Sequence, residues 1–149
     1  MAKKERLNKI EGREWAYILI IFSIIFLGYL AQYKANNKFV DSIYIEIKKN
    51  NIAHPEIVIK QSIWETGWFK CKKCSWRYNN AFGFRYKDWV TKDNPKGYIV
   101  FKTWQESVAY YARWQKRHYK EGDYYKFLED RGYASDKNYI ANIKSIKYE

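Results

Sequence analysis

The chain has 149 residues, with 28 Lys and Arg against 16 Asp and Glu, and aromatic residues make up 20 % of it. That length holds one compact domain and excludes a string of several. A basic, aromatic-rich composition leaves three kinds of partner open: nucleic acid, anionic membrane or wall surfaces, and carbohydrate, whose rings present apolar C–H faces to flat side chains.

Residues 1–14 read as a basic tail containing Lys3, Lys4, Arg6, Lys9 and Arg13. Residues 15–33, "WAYILIIFSIIFLGYLAQY", carry no charge, and Trp15, Tyr17, Tyr29 and Tyr33 sit toward the ends of the run. At 1.5 Å per residue such a stretch nearly crosses a hydrocarbon core, and aromatic rings favour its two interfaces. A buried core helix is rarely apolar all round in so small a protein, and no small-residue cleavage site follows, so the sequence predicts an uncleaved signal anchor. The basic excess ahead of it predicts a cytoplasmic amino end, a single pass through the inner (cytoplasmic) membrane, and a domain in the periplasm or extracytoplasmic space. Nucleic acid drops out as a partner in that location.

Residues 34–51 read as a linker and first helix, with Val40, Ile43, Tyr44 and Ile47 at helical spacing and an end at Asn50 and Asn51. A second helix follows in "HPEIVIKQSIWETG", where Pro55 suits a first turn and Gly67 a terminator. Between residues 79 and 101, Phe82, Phe84 and Tyr86 alternate, "YIVF" offers a partner strand, and "KDNPKG" supplies a turn, which together predict a short antiparallel β-hairpin. Helical periodicity returns in "QESVAYYARWQKRHY", in residues 124–130 and in "NYIANIKSI", with Ile140, Ile143 and Ile146 inward. The predicted class is α+β: a mainly helical domain over residues 52–149 with one hairpin, preceded by a transmembrane helix.

Within "QSIWETGWFK" a lone acid, Glu65, stands between Trp64 and Trp68 at the end of a largely buried helix. Apolar surroundings disfavour a carboxylate, so its pKa rises and it can hold a proton near neutral pH for a leaving group. A local ion pair with Lys60 or Lys70 is the plainer alternative.

Four motifs, "ETGWFK", "NNAFGFR", "FKTWQES" and "GYASDKNYIANI", stand in the order and spacing found in the glucosaminidase domains of glycoside hydrolase family 73. Residues 52–146 resemble that family. The resemblance implies a lysozyme-like fold and hydrolysis of the β-1,4 bond after N-acetylglucosamine in peptidoglycan, with no cofactor and no metal. It also implies that Glu65 is the general acid, that Tyr139 lies near the reaction centre, and that Asn80 and Phe82 line the cleft. Glu106 and Ser107 match a motif that buttresses the fold at the start of the next helix.

Glycosidases commonly use a second carboxylate, and its distance from the first decides the stereochemical outcome. The acids on the expected hairpin are Asp88, beside Trp89, and Asp93, in the turn; Asp88 is the candidate, because an Asp in a turn is ordinarily structural. If neither serves, the acetamido group of the sugar or a water held by Tyr139 takes the role. Trp68 and Trp104 are candidates to face the glycan, since so many Trp cannot all be buried.

The pair Cys71 and Cys74 lacks the further ligands a zinc site needs and the βαβ context of a redox motif, which leaves a local disulfide. His118, in a basic helix end, reads as a solvated residue or a carbonyl cap. The expected partners are thus peptidoglycan strands and, through residues 15–33, the cytoplasmic membrane. Two other readings remain: a non-catalytic wall-binding scaffold, and a phage signal-anchor endolysin with muramidase specificity.

Overall fold

In the computed structural model the described backbone covers residues 2–148, and the side chains of residues 2–14, 16, 33, 35–37 and 87 lie outside the described residues. The chain divides into two units, Met1–Lys38 and Phe39–Glu149. The secondary structure of the described residues is five α-helices and two short 3-10 turns, Ser75–Tyr78 and Lys87–Trp89.

The described residues of the first unit are helical and belong to α1, Ala2–Lys49. Its large apolar side chains between Trp15 and Leu30 are exposed. The expected transmembrane helix over residues 15–33 is corrected here: among the described residues no helix is long and apolar enough to cross a membrane. The apolar run is one stretch of a 48-residue helix that continues without a break into polar, charged sequence on both sides. The side chains of Lys3, Lys4, Arg6, Lys9 and Arg13, on which the expected orientation leaned, and of Tyr33, expected at an interface, lie outside the described residues.

The second unit holds the core. The end of α1 contributes Val40, Ile43 and Ile47, one buried face at helical spacing. The chain turns at Asn51, where φ is +52°, and re-enters as α2, Pro55–Thr66, with Pro at the first helical turn. Ile57, Val58, Ile59 and Ile63 of α2 join the same core. Gly67, at φ +54°, stops the helix in a Schellman motif: its N–H donates to Trp64 O at 3.3 Å and the Trp68 N–H to Ile63 O at 3.0 Å. This stop places Glu65 in the last turn.

Helix α3, Trp104–His118, starts with Thr103, whose Oγ1 accepts the Glu106 N–H at 3.3 Å, while Glu106 Oε2 reaches back to the Lys102 N–H at 2.9 Å. Ser107 is also structural, since its Oγ donates to Trp104 O at 2.7 Å and accepts the Ala81 N–H at 3.2 Å. Helix α4, Tyr124–Asp130, is capped by Asp123. Helix α5, Tyr139–Ser145, packs on α2.

The expected class is corrected from α+β to all-helical, because the hairpin does not form. Among the described residues there is no strand between 79 and 101, only an isolated antiparallel bridge between Arg85 and Tyr98. Two bonds cross it, Tyr86 N–H to Gly97 O and Ile99 N–H to Phe84 O, both 2.9 Å. Side chains then take over what further ladder rungs would do. Asn94 donates to Tyr98 O at 2.7 Å and accepts the Tyr98 N–H at 3.0 Å, and Asn80 Nδ2 binds Phe84 O at 2.8 Å and Ile99 O at 3.1 Å. With the backbone groups satisfied this way, alternation of apolar residues is not enough to make a ladder.

Candidate active site

A cavity of about 470 Å³ opens at the end of α2. Its wall is built from Trp64 and Glu65, the segment Phe82–Arg85, Trp114 of α3, the connection Arg131–Asp136 and Tyr139 of α5. Glu65 is half-buried there, between the α2 terminus and the 82–85 segment.

Gly83 forms the tightest part of the wall. A Cβ at this position would run into Glu65 Oε2 and stand 2.9 Å from its Cδ, and the residue lies at φ +71°. Only glycine combines that backbone conformation with that approach. Asn80 sets the conformation from below: its Oδ1 accepts the N–H groups of Phe82 at 3.3 Å and Phe84 at 3.2 Å, while its Nδ2 holds Phe84 O and Ile99 O. Phe82 is buried against Tyr111, with ring centroids 4.2 Å apart, and its carbonyl accepts the Tyr133 hydroxyl at 2.8 Å.

Burial pushes Glu65 up from its ordinary 4.5 to about 7; the Arg85 guanidinium and a hydrogen bond from Tyr139 pull the other way and are outweighed. Arg85 is itself held over the Tyr98 ring, 4.7 Å from its centroid, and donates to the Tyr98 hydroxyl at 3.1 Å. Tyr139 is pushed well above the usual phenol value, by burial first and by the Glu65 charge second, so it stays a neutral donor. It stacks on Tyr133, 5.8 Å between centroids, and accepts a hydrogen bond from Gln61 Nε2 at 3.3 Å. A carboxyl raised toward neutral pH by burial, on the wall of an open cavity beside a phenol, can both give and take a proton.

Of the residues singled out from sequence, Glu65, Phe82 and Tyr139 meet at this cavity. Asn80 lies beneath it, fully buried. Asp88 is exposed on the 3-10 turn Lys87–Trp89 and does not line the cavity. Trp68 is exposed at φ +58°, and Trp104 is half-buried, edge-on to Phe39 at 6.0 Å; neither lines the cavity.

Sequence reasoning passed over Gly83, Arg85, Trp114, Tyr133 and Asp136. Gly83 and Arg85 belong to "NNAFGFR", and Tyr133 and Asp136 to "GYASDKNY", so the signal lay in the motifs already quoted. Glu65 and Asp136 are the carboxylates that line the cavity among the described residues. Asp136 Oδ1 accepts the Asn138 N–H at 2.9 Å and Oδ2 accepts from Asn142 Nδ2 at 3.2 Å, which ties it to the start of α5.

Among the described residues no group of His, Cys, Asp and Glu is placed to hold a metal ion. Cys71 and Cys74 are free thiols, with Cys74 Sγ donating to Cys71 O at 3.2 Å. His118 Nδ1 donates to Trp114 O at 2.8 Å, a carbonyl cap at the end of α3.

No curated protein and no solved structure matches the chain. The family model for glucosaminidase, described as mannosyl-glycoprotein endo-β-N-acetylglucosaminidase, matches residues 41–149, which takes in every residue of the cavity. The chain therefore belongs to the glucosaminidase family and is a glycoside hydrolase of the endo-β-N-acetylglucosaminidase kind.

Proposed function

We propose that this chain hydrolyses peptidoglycan at the β-1,4 bond after N-acetylglucosamine, with Glu65 as the general acid. The family match supports the glycosidase activity and peptidoglycan as the polymer. The observation that carries the role of Glu65 is its place on the cavity wall, under Gly83 and Tyr139, with its carboxyl raised to about 7 by burial.

Glu65 gives its proton to the glycosidic oxygen as the bond to the anomeric carbon breaks. The other cavity carboxylate, Asp136, has both oxygens engaged by α5. Asp136 is thereby tied to the start of α5, and in this reading the second role falls to the acetamido oxygen of the sugar, which closes on the anomeric carbon. Water, losing a proton to the Glu65 carboxylate, then reopens that ring. Phe82 and Trp64 give apolar wall to the sugar faces, and Tyr139 holds Glu65 toward the bond. The same occupied state of Asp136 also favours a second reading, a module that binds glycan without turning it over.

Incubating the chain and its Glu65→Gln variant with purified peptidoglycan, and identifying the reducing-end sugar of the fragments by mass spectrometry, tests the proposal. Fragments ending in N-acetylglucosamine that vanish with the variant support it. Fragments ending in N-acetylmuramic acid would overturn the choice of bond, and binding without fragments would favour the second reading.

A further inference from the structure

A continuous chain of hydrogen bonds runs through the core from the connection between α1 and α2 to Tyr139, which lines the cavity beside Glu65. It starts at Ala53, whose N–H donates to Gln115 Oε1 at 2.7 Å while its carbonyl accepts from Gln115 Nε2 at 2.9 Å. These two bonds fix which end of the Gln115 amide is nitrogen. The second Nε2 hydrogen goes to the Tyr124 hydroxyl at 2.8 Å. Tyr124 and Tyr111 share a bond of 2.6 Å, and Tyr111 donates to Gln61 Oε1 at 2.7 Å. Gln61 Nε2 donates to Tyr139 at 3.3 Å, and Tyr139 shares the cavity wall with Glu65, where its hydroxyl favours the charged carboxylate.

With the Gln61 amide set as Oε1 toward Tyr111 and Nε2 toward Tyr139, the directions of the remaining bonds follow. An amide oxygen only accepts, so the Tyr111 hydrogen is committed to Gln61, and Tyr124 must be the donor of the bond between the two phenols. Tyr139, which accepts from Gln61, has its one hydrogen left for Glu65. Each donor is thus made more acidic by the donor behind it, and all of them point toward the carboxylate. Gln61 stands one helical turn before Glu65 on α2, so the last amide and the acid share one face of one rigid element.

We propose that Gln61, Tyr111, Tyr124 and Gln115 are positioning residues for the reaction at Glu65, acting through the Tyr139 hydroxyl to fix its direction and donor strength. None of the four lines the cavity. This inference rests on Glu65 being the acid of the proposed reaction. A purely structural account, in which buried polar groups only satisfy one another, predicts lost stability on mutation and nothing specific at Glu65. The groups that face Glu65 from the surrounding elements are Arg85 on the 82–85 segment, Tyr133, Arg131 and Asp136 on the 131–136 connection, and Tyr139 on α5. All of them are retained when the chain is cut at Tyr111.

The test uses the full-length chain and its Tyr111→Phe, Gln61→Leu and Val108→Ala variants. Val108 is a buried core residue off the chain of bonds and serves as a control for lost stability. The Glu65 carboxyl is titrated by 13C NMR, and kcat and KM are followed against pH on peptidoglycan. With a weaker donor at Tyr139 the charged carboxylate loses support, so the Glu65 midpoint and the alkaline limb rise in Tyr111→Phe by a few tenths of a pH unit. The value of kcat falls roughly 3- to 10-fold with little change in KM. Val108→Ala leaves both pH values where they were. A Glu65 midpoint in Tyr111→Phe equal to that of the unaltered chain overturns the proposal, whatever happens to stability. Should Gln61→Leu fail to fold, Tyr111→Phe, which keeps the ring, decides alone. A shifted midpoint in a chain that cleaves no glycan would show that the network tunes Glu65 and would overturn the proposed reaction, and the positioning role with it.

Discussion

Gly83 lies against the Glu65 carboxylate so closely that the Cβ of any other residue would clash with Oε2. Gly83→Ala is expected to push the acid off its position and to strain a backbone held at φ +71°. The variant should lose most hydrolytic activity and about 1–3 kcal/mol of stability. Activity on peptidoglycan and a urea melt, measured together, check this; normal turnover would show that Glu65 tolerates displacement.

The raised carboxyl of Glu65 makes both activity and stability fall as pH rises, and the amide of a Glu65→Gln variant carries neither dependence. A general acid must be protonated, so kcat/KM should fall as pH rises through about 7. Because the folded value lies above the ordinary 4.5, the neutral form is the one the fold favours: its contribution is complete below 4.5 and is lost as pH climbs through 7. Glu65→Gln should therefore match the unaltered chain at pH 4.5 and exceed it at pH 8, by up to about 3 kcal/mol. Thermal melts of both proteins at the two pH values decide it; a variant less stable at pH 8 contradicts the burial account.

Asp88 and Asp93 stand outside the cavity on exposed backbone. An Asp88→Asn, Asp93→Asn double variant is expected to keep activity within about twofold of the original, as surface changes away from a site usually do. Abolished turnover would return the second acid to this segment and exclude the acetamido route.

Asn80 makes four hydrogen bonds to the backbone from a fully buried position. Asn80→Ala takes a partner from the N–H groups of Phe82 and Phe84 and from Ile99 O, while Phe84 O keeps the Ile99 N–H, and should cost about 2–4 kcal/mol. Since the same bonds set the 82–85 segment, activity should fall further than stability explains. Comparison with Val108→Ala, matched for stability, separates the two effects.

Much of the fold was legible because its signals are local. Pro55 and Gly67 bound α2, the stripe of Val108, Tyr111 and Gln115 marks α3, and Ile143 marks α5. Glu65, Phe82 and Tyr139 were legible from the motifs that contain them. The hairpin was misjudged because apolar alternation at Phe82, Phe84 and Tyr86 is equally compatible with a loop whose carbonyls and N–H groups are met by Asn80 and Asn94. Nothing at those two asparagines separates a turn residue from a surrogate for strand pairing. The spanning helix was misjudged because the run 15–33 was read apart from the charged sequence that continues the same helix. The core chain from Gln115 to Gln61 escaped notice for a different reason. Its members lie far apart in sequence, and a buried glutamine on an amphipathic helix carries no mark of the phenol that waits for it.

The single bridge between Arg85 and Tyr98 closes the neck of the segment between them, and Asn94 fastens that segment to its own base rather than to the cavity. Residues 86–97 thus form a replaceable cassette. Doubling its length would add only about 0.6 kcal/mol of closure entropy, and no wall residue of the cavity would be displaced. The length of that stretch can change while Glu65, Gly83 and Tyr139 stay where they are.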